Sequence, residues 1–461
     1  MKKFVKSRWT YIFPQDKFCV LFNSLNLKTQ FIDKQTISLV NFLKEPRTKS
    51  EVFCLVEKGD TEKKDFENIW KQFIQLKVIV ENDADELAEL VDWSGQQRSK
   101  KEKQMSGNIK MNALRVIITE KCNLDCKYCF VDKRKTKKAK VMSWLTLKSG
   151  IDNLAKLCNG KAIEVQFFGG EPLLEFELIK KAVSYINQLK VKKQISQAHF
   201  GITTNATLLT QEKAKFFKAN SFLVSVSLDG WKKMNDLNRV FSNEASAYDK
   251  TIKGLKILRE TNNEIGILVT PAPETIEDLA NACEYIIKEL GFKFITINTP
   301  QPVHGNWTID GAEFSKQIQK CHKIAEENKA IINSFGTRVL FAINEEKPLI
   351  FSCAKYNDYY TATLQTDGLL SPCIVSWDQP DILSKFTDLQ KKGSVFSKWK
   401  LTEPYFLNKC LNCPAMNVCG GPCPLEVYEM KKFTKPVDIE RCKFFNDYLP
   451  WATYYDQEIN L

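Results

Sequence analysis

Short apolar runs alternate with amphipathic stretches through the middle of the chain. Runs rich in branched and aromatic residues predict buried strands, and stretches with apolar residues every three or four positions predict helices packed on them. The predicted strands are 113–119, 162–168, 199–204, 222–228, 265–270 and 292–298, and the predicted helices are 144–157, 175–191, 211–219, 248–261, 276–290 and 312–332.

This alternation predicts the fold class. Parallel strands joined by right-handed helical crossovers wind into an α/β fold, either a partial (β/α)6 barrel of TIM type or a twisted open sheet. Reactive groups in such folds lie at the carboxyl ends of the strands. We therefore expect the chemistry of this chain in the segments that directly follow the strands.

The N-terminal segment has a different pattern. Its predicted elements are a hairpin from 18–22 and 27–31, helices at 35–43, 50–55 and 63–76, and a strand at 78–80. This order resembles the winged-helix recognition element of enzymes that modify ribosomally synthesised peptides (RiPPs), which implies binding of a peptide leader as an added strand at a sheet edge. A DNA-binding winged helix is the alternative, although the helix at 63–76 mixes lysine with acidic residues and lacks a basic recognition face.

Composition and charge change this picture little. The chain has 461 residues, 43% of them hydrophobic, which is enough for two or three domains with real cores. Much of the net charge of +12 lies in two short runs, 98–103 and 133–140, which are typical of solvated loops. An acidic peptide is as simple a partner for this charge as nucleic acid, and we expect no nucleic-acid partner.

Fifteen cysteines occur without a secretion signal or an apolar run long enough to span a membrane. This usage favours reduced thiols and metal centres over disulfides, so we expect a cytoplasmic protein with no membrane partner. Five of the cysteines fall on apolar or helical stretches and are predicted to be small core residues: Cys19, Cys54, Cys158, Cys283 and Cys321.

Three cysteines directly follow the first predicted barrel strand. Cys122, Cys126 and Cys129 have the spacing C-x3-C-x2-C. Three thiolates so placed can hold three irons of a cubane [4Fe–4S] cluster and leave the fourth iron open. Zinc is the alternative, but a structural zinc site needs a fourth ligand.

The same spacing resembles the defining motif of the radical S-adenosylmethionine (SAM) enzymes. The resemblance implies that the open iron binds the amino and carboxylate groups of SAM, and that one electron cleaves SAM to a 5′-deoxyadenosyl radical. A flavodoxin- or ferredoxin-type protein is the implied reductant. Tyr128, inside the motif, is expected to pack beside the adenine, with an ordinary core aromatic as the alternative.

Later strand ends carry further motifs of this family. Gly169, Gly170 and Glu171 resemble the motif that binds the SAM amino group, and adjacent glycines let a ligand approach the backbone. The resemblance also implies SAM contacts for the polar segment after the third strand and for residues after the fourth, where Ser227 is expected at the ribose and Arg239 at the carboxylate. These further candidates are Thr204, Asn205, Ser227, Asp229 and Arg239.

Seven cysteines follow the predicted barrel, spaced as C-x14-G-x4-C, then C-x2-C-x5-C-x3-C, then C. The pattern resembles the SPASM domain, a module with auxiliary clusters found in peptide-modifying radical SAM enzymes; a zinc ribbon could explain four of the seven. By resemblance, one auxiliary [4Fe–4S] cluster is distal to the barrel and the other is proximal, which makes three clusters in all. The distal ligands are Cys410, Cys413, Cys419 and Cys442, and the proximal ligands are Cys353, Cys373 and Cys423.

The proximal set lacks a fourth protein ligand, because the sequence between Ala354 and Asp367 contains neither cysteine nor histidine. An open iron there could bind a substrate thiolate, as proposed for the thioether-forming (sactipeptide-type) maturases; an exogenous ligand is the alternative. Sulfatase-maturing relatives carry a catalytic aspartate where this chain has Ile374, directly after Cys373, so sulfatase maturation is disfavoured.

These observations predict a radical SAM/SPASM peptide maturase that acts on a leader-bearing precursor peptide and installs a thioether from a peptide cysteine. Carbon–carbon or ether cross-linking on the same scaffold is the alternative reaction. A cluster-bearing DNA regulator and a simple electron carrier are hypotheses from other classes. The predicted domains are a recognition element at 1–93, a linker at 94–111, the radical SAM core at 112–340 and the SPASM domain at 341–461.

Overall fold

The computed structural model describes residues 1–14, 18–57, 63–106, 111–129, 139–298, 309–349, 360–376, 383–389, 407–423 and 438–459. Within these residues, no helix combines the length and the apolar character needed to cross a lipid bilayer. Cys353, His304 and most of the basic run 133–140 lie outside the described residues.

The N-terminal region contains two small antiparallel sheets and four helices. Its strands are β1 (Lys3–Lys6), β2 (Thr10–Pro14), β3 (Cys19–Asn23), β4 (Thr29–Ile32), β5 (Arg47–Thr48) and β6 (Ile79–Glu81). Its helices are α1 (Lys34–Phe42), α2 (Lys49–Glu57), α3 (Lys63–Gln75) and α4 (Glu86–Ser106). The sheets have the strand orders β5-β1-β6 and β2-β3-β4.

The predicted hairpin is therefore confirmed as β3 and β4, with Val20 opposite Phe31, and each predicted N-terminal helix is present. The sequence did not predict β1, β2 or β5. The stretch predicted as a linker is helical as far as Ser106, at the end of α4.

A nine-stranded sheet forms the centre of the molecule. Strands β7 to β13 are parallel neighbours in chain order, and β14 pairs in parallel with β7 on the other side. The antiparallel β15 completes that edge. The strands are β7 (Met111–Thr119), β8 (Ile163–Gly169), β9 (Ala198–Thr204), β10 (Phe222–Ser227), β11 (Glu264–Val269), β12 (Phe294–Ile297), β13 (Ile331–Asn333), β14 (Tyr360–Leu364) and β15 (Leu370–Ser371).

Helices connect these strands and cover one face of the sheet. They are α5 (Trp144–Leu157), α6 (Phe176–Val191), α7 (Gln211–Ala219), α8 (Lys232–Asn238), α9 (Tyr248–Glu260), α10 (Leu279–Lys288), α11 (Gly311–Glu327) and α12 (Phe335–Asn344). The short α13 (Met416–Cys419) and the long α14 (Ile439–Ile459) follow. Alternate strand residues are buried against the helices, as in β10, where Phe222, Val224 and Val226 are almost inaccessible. The predicted α/β fold with six parallel strands is confirmed.

One predicted helix extends past the point where the helix in the structure ends. The helix predicted over 312–332 stops at Glu327, and Ile331–Asn333 forms β13, parallel to β12. The helix ends because Lys329 has a left-handed backbone conformation (φ 51°), and the amide of Ala330 then bonds back to the carbonyl of Ala325 at 2.8 Å. No glycine or proline marks this stop in the sequence, so the apolar run after it continued the helical pattern.

The C-terminal region is built into the barrel rather than attached beside it. Strand β14 extends the central sheet, and α14 packs on α11 and α12, with the ring of Phe444 5.1 Å from that of Phe314. The N-terminal region meets the same part of the chain, since Asn417 Nδ2 donates to the carbonyl of Ser24 at 2.8 Å. The apolar cluster of Trp9, Leu90 and Met416 lies at this contact.

Two helical glycines provide a test of the packing next to the strand ends. A Cβ on Gly254 in α9 would lie 2.3 Å from the carbonyl oxygen of Ala206, whereas a Cβ on Gly95 in α4 would meet nothing within 4 Å. Alanine normally stabilises a helix relative to glycine, so Gly95→Ala should add about 0.5–1 kcal/mol. Gly254→Ala should instead destabilise the fold by about 1–3 kcal/mol, because overpacking outweighs the helical gain. Urea unfolding of both variants measures the two signs, and a stabilised Gly254→Ala would contradict this packing.

The loss of folding stability in acid should come partly from His322. This side chain is buried on α11, with Nε2 3.3 Å from Ser334 Oγ, and burial lowers its pKa from 6.5 to about 4. Between pH 6.5 and 4 the unfolded chain binds a proton that the folded chain does not, so stability should fall as pH falls through this window, by on the order of 3 kcal/mol in total. In His322→Gln the free energy of unfolding should change less between pH 6.5 and 4. His199→Gln, at an exposed position, should leave this change as it is in the native chain.

Candidate active site

The carboxyl ends of four neighbouring strands bring most of the predicted site residues together. The order β10-β9-β8-β7 places the segments that follow these strands side by side. They contain the cysteine loop after β7, the Gly-Gly-Glu segment after β8, Thr204 and Asn205 at the end of β9, and Asp229 after β10. Together they form the candidate site.

The cysteine loop is held by backbone hydrogen bonds to the segment that carries Arg239. The amide of Asp125 donates to the carbonyl of Val240 at 2.8 Å, and the amide of Lys127 donates to the carbonyl of Asn238 at 3.0 Å. Leu124 and Phe241 also form an antiparallel bridge. Two segments more than 100 positions apart in the sequence are therefore one local structure here, and Arg239 lies in the second of them, between the bonded residues Asn238 and Val240.

The three thiols of this loop are half-buried neighbours. Burial raises the pKa of Cys122 to about 12, and the charges of Glu171, Cys126 and Cys129 act in the same direction. Burial likewise raises the pKa of Cys126 to about 11, although Arg239 opposes the shift. The amide of Leu124 points at Cys122 Sγ at 3.4 Å, a contact of the kind that tunes iron–sulfur clusters. Without a cationic centre the thiols of Cys122 and Cys126 resist ionisation, and binding one would release their protons.

Gly169 and Gly170, at the end of β8, have no room for a side chain. A Cβ on Gly169 would lie 2.2 Å from the carbonyl oxygen of Thr119, and one on Gly170 would lie 2.1 Å from that of Lys121. The φ of Gly169 is 152°, at the limit of what other residues adopt. The amide of Gly170 donates to the carbonyl of Thr119, and the amide of Glu171 donates to the carbonyl of Lys121, each at 2.8 Å. The glycines therefore let the ends of β7 and β8 touch backbone to backbone.

The Glu171 carboxylate fastens the end of β8 to the end of β9. It accepts hydrogen bonds from Thr204 Oγ1 at 2.7 Å, from the amide of Asn205 at 2.8 Å and from the amide of Leu173 at 3.0 Å. Burial raises its pKa to about 7, while these three donors oppose the shift. Because its oxygens are occupied by protein donors, Glu171 positions the backbone of this segment.

Asn205 connects β9 to the cysteine loop. Its Nδ2 lies 2.9 Å from Asn123 Oδ1 and 4.0 Å from Cys122 Sγ, and its Oδ1 accepts from Thr207 Oγ1 at 2.7 Å. Asn123 in turn donates to Thr207 at 2.8 Å. This closed set of polar contacts fixes the first cysteine of the loop against the third strand.

A buried ion pair lies on the other side of the loop. Arg239 Nε and Nη2 reach the two oxygens of Asp229 at 2.8 and 3.2 Å, with the two side chains only 9% and 2% exposed. Asp229 also accepts from the Tyr128 hydroxyl and, at 3.0 Å, from the amide of Thr270. The Arg239 guanidinium lies 5.2 Å from the centre of the Tyr128 ring. Such a fork-to-fork pair holds the guanidinium in one orientation.

Tyr128 and Arg239 are therefore more constrained than the sequence indicated. The Tyr128 hydroxyl is engaged by Asp229, and its place beside an adenine stays a prediction. Ser227 is half-buried at the end of β10, and its predicted ribose contact is also untested.

Sequence reasoning missed several polar residues of this network. Thr270 Oγ1 accepts from Asn298 Nδ2 at 2.9 Å, and both residues directly follow strands, β11 and β12. The rule that reactive groups lie at the carboxyl ends of parallel strands, which singled out the ends of the first four strands, could also have found Thr270 and Asn298. Asn123 lies inside the cysteine motif. Glu120 accepts from Thr366 Oγ1 at 2.7 Å and ties the motif to the segment after β14, a contact without a local sequence signal.

A second set of thiols gathers Cys410, Cys413, Cys419 and Cys442 from two parts of the C-terminal region. Burial raises the pKa of Cys410 to about 11 and that of Cys413 to about 12, and in each case the charges of the other thiols in the set raise it further. Cys442 comes from α14, and the others come from the loop 407–423. Their convergence is the arrangement expected for the distal ligands.

Neither thiol set has the geometry of a single-ion site among the described residues. No three histidine, cysteine, aspartate or glutamate side chains in the described part of the chain come close enough to share one metal ion. Thiolates that ligate a cubane bind different irons, so they need only be neighbours around it. Of the proximal set, Cys373 precedes a short 3₁₀ turn at Ile374–Ser376, where Ser376 Oγ donates to its carbonyl at 2.9 Å. This set is untested, because Cys353 lies outside the described residues.

Comparison with known proteins agrees with this geometry. Residues 116–286 match the Radical SAM superfamily. A cysteine-type anaerobic sulfatase-maturating enzyme of Clostridium perfringens is 30% identical over 326 residues, which are 66% of this chain and 85% of that enzyme. The radical SAM cyclopropyl synthase TigE of Paramaledivibacter caminithermalis is 20% identical over 443 residues, 87% of this chain and 85% of the synthase.

The solved structures of Streptococcus suis SuiB share the fold over almost the whole chain. SuiB bound to S-adenosylmethionine superposes with a TM-score of 0.54 at 16% identity, covering 95% of this chain and 99% of SuiB. SuiB bound to its precursor peptide SuiA gives a TM-score of 0.55 at 15% identity, covering 96% of this chain and 100% of SuiB. The N-terminal and C-terminal regions are thus part of a shared architecture.

The buried ion pair leads to a stability prediction. Asp229→Ala should cost about 3–5 kcal/mol, because it leaves the Arg239 charge buried without a partner. Tyr128→Phe removes one hydrogen bond to that carboxylate and should cost about 1.5–3 kcal/mol. Asp249→Ala is the matched control, since it breaks the exposed pair with Lys232 and should change stability little. Equal urea midpoints for Asp229→Ala and Asp249→Ala would argue against the buried pair.

Proposed function

The chain is an enzyme of the radical SAM superfamily, and we propose that it modifies a leader-bearing ribosomal peptide by radical chemistry. The observation that carries this proposal is the cysteine loop of Cys122, Cys126 and Cys129, held between the Glu171 segment and the Asp229–Arg239 pair. Membership of the superfamily implies SAM and one [4Fe–4S] cluster. Roles for individual residues, further clusters, the peptide and the bond formed are our proposals.

The residues present fit this cofactor pair. Cys122, Cys126 and Cys129 would hold the cluster, which when bound supplies the electron that cleaves SAM to a 5′-deoxyadenosyl radical. The backbone of Gly169–Glu171 would accept the SAM ammonium group, and Arg239 would receive the carboxylate. Thr204, Asn205 and Ser227 would line the nucleoside side of the pocket.

Preorganisation is the contribution of the protein. Glu171 is saturated by three donors, so it keeps the Gly-Gly backbone in place instead of ligating anything itself. Asp229 orients the Arg239 guanidinium before any ligand arrives, and an oriented donor needs no reorganisation when the ligand binds. Burial of both carboxylates excludes water from these contacts and strengthens them.

We propose two auxiliary clusters, for three in all. Cys410, Cys413, Cys419 and Cys442 would hold the distal one, and Cys353, Cys373 and Cys423 the proximal one. The convergence of the distal thiols supports the first assignment, and the SPASM-like spacing of the sequence supports the second. A flavodoxin- or ferredoxin-type protein would deliver the electron to the first cluster.

A precursor peptide is the proposed substrate. The N-terminal region has the predicted hairpin and three helices of a leader-recognition domain, and the similar SuiB has been solved with its precursor peptide. A leader would add a strand to a sheet edge of this region. The proposed domains are the recognition element at 1–93, the connection at 94–111, the radical SAM core at 112–340 and the SPASM domain at 341–461.

Thioether formation is the reaction we favour. It is supported by the three-cysteine proximal set, which would leave an iron for the thiolate of a peptide cysteine. The cross-link removes two hydrogens from the peptide. One would leave the peptide carbon as a hydrogen atom, taken up by the radical that SAM supplies. The other would leave as the thiol proton, and the auxiliary cluster held by the proximal cysteines would supply the acceptor for the remaining electron.

Carbon–carbon bond formation is the second candidate. The match to the cyclopropyl synthase TigE, over 87% of this chain, favours it. Sulfatase maturation remains disfavoured despite the similar Clostridium perfringens enzyme, because Ile374 stands where the catalytic aspartate of that branch is expected. Treatment of the product with iodoacetamide separates the two candidates, since a thioether sulfur is no longer alkylated.

The radical step is tested without a peptide. Anaerobically reconstituted enzyme with SAM and dithionite should release 5′-deoxyadenosine, and Cys122→Ala, Cys126→Ala or Cys129→Ala should each abolish the release because the cluster loses a ligand. Cys54→Ser, at an exposed cysteine of α2, is the control and should keep native turnover. Release that survives all three alanine variants would refute the assignment of the site.

The bond is tested with a leader-bearing, cysteine-containing precursor peptide. The product should weigh two hydrogens less than the substrate and should resist alkylation at one cysteine. Changing that peptide cysteine to serine should abolish the mass change and leave 5′-deoxyadenosine formation intact. A product with two hydrogens lost and every cysteine still alkylated would favour the carbon–carbon reaction instead.

A further inference from the structure

The N-terminal region packs directly against the loop that carries the distal cysteines. Trp9, Leu90 and Met416 form a buried apolar cluster, and the side chains packed against it include Cys410 and Cys413. Arg8 Nη2 also reaches Asn412 Oδ1 at 3.5 Å. Residues near the start of the chain therefore share one core with proposed cluster ligands some 400 positions later.

Trp9 has a buried donor without an acceptor in this core. Its side chain is completely inaccessible, and its Nε1–H makes no hydrogen bond within the described residues. A buried N–H without a partner costs about 1–3 kcal/mol. Such groups are rare in native proteins, and each one points to an acceptor that belongs at the site.

The backbone holds Trp9 firmly in place. Its amide donates to Ser7 Oγ at 3.2 Å, and its carbonyl accepts from the amide of Ser24 at 2.8 Å. The Ser7 hydroxyl and, at 2.9 Å, the amide of Arg8 are bound by the buried Glu86 carboxylate. Rotation of the segment away from the loop would break all of these hydrogen bonds. They therefore fix the position of the indole.

Tyr11 gives a second sign that this strand faces the sulfur site. Trp9 lies in the turn directly before β2, and Tyr11 lies within β2. The Tyr11 phenol is close enough to Cys413 for the thiolate charge to act on it. The cluster proposed at Cys410, Cys413, Cys419 and Cys442 would therefore have Trp9 and Tyr11 in its wall.

We infer that the Trp9 indole N–H donates a hydrogen bond to a sulfur of the distal cluster. Cluster sulfurs and thiolates are acceptors, and hydrogen bonds to them raise the reduction potential because they stabilise the added negative charge. Trp9 is thus a positioning and tuning residue, contributed by the proposed leader-binding region to the electron-transfer centre. The inference rests on the distal cluster of the proposed function.

Trp9→Phe tests this by removing the N–H and keeping an aromatic ring. The distal signal in electron paramagnetic resonance is first identified as the one that Cys410→Ala abolishes, together with about four iron atoms per chain. In Trp9→Phe the iron content should stay native. The midpoint potential should fall by about 59 mV, which for one electron is about a tenfold change in the equilibrium constant of reduction. Trp93→Phe, the same change in the same apolar cluster, should leave the potential unchanged.

The metal-free chain provides a second readout. Because the Trp9 N–H has no acceptor among the described residues, Trp9→Phe removes no hydrogen bond there, and its urea midpoint should fall no further than that of Trp93→Phe. A much larger loss for Trp9→Phe would mean that the protein itself supplies the acceptor, and the inference would fail. If Trp9→Phe does not fold, pulsed resonance of the reduced native enzyme labelled with ¹⁵N-indole tryptophan must show a ¹⁵N coupling to the distal cluster; absence of that coupling also overturns the inference.

The outcomes separate the two levels of the proposal. An unchanged potential in Trp9→Phe with native iron content refutes the Trp9 hydrogen bond and leaves the cluster assignment standing. Iron content and spectra that Cys410→Ala does not alter refute the distal cluster itself, and the inference falls with it.

Discussion

Parallel strands that end on one edge of a sheet are the constraint on which this site depends. Strands β7 to β10 are hydrogen-bonded neighbours in chain order, so the segments that leave their carboxyl ends are forced to be adjacent. The chain then needs little else to assemble the candidate site: a cysteine loop, two glycines that allow backbone contact, and a few polar side chains. The apolar faces of the strands, packed on the covering helices, hold this edge rigid.

Two buried carboxylates turn that edge into a preorganised site. Glu171 bonds the ends of β8 and β9 together, and Asp229 holds the guanidinium of Arg239 against the cysteine loop. The Asp229–Arg239 pair adds little net stability, because a buried ion pair gains little over a well-packed apolar pair. The value of the two carboxylates lies in orientation, since a donor fixed in a water-poor setting binds a charged ligand without reorganising.

The C-terminal region shows how distant parts of a chain can share one function. Strand β14 extends the central sheet, Thr366 bonds to Glu120 beneath the first cysteine loop, and α14 delivers Cys442 to the other distal thiols. The N-terminal region meets the same loop through Trp9 and Ser24. The proposed peptide-recognition region, the proposed distal cysteine set and the candidate active site are thereby linked in one packed body, which would suit a reaction on a large, tethered substrate.

The sequence by itself determined the fold class and the six parallel strands and singled out the candidate site residues, because hydrophobic period and cysteine spacing are local signals. It did not predict where α11 stops, since a left-handed lysine leaves no mark in the sequence, and it missed the outer strands β13, β14 and β15 of the sheet. It singled out Arg239, Asp229 and Tyr128 without predicting that they contact one another, and it missed Thr270. Only the tertiary structure decided these contacts, because which polar groups meet in a low-dielectric interior depends on how strands and loops far apart in the chain are packed.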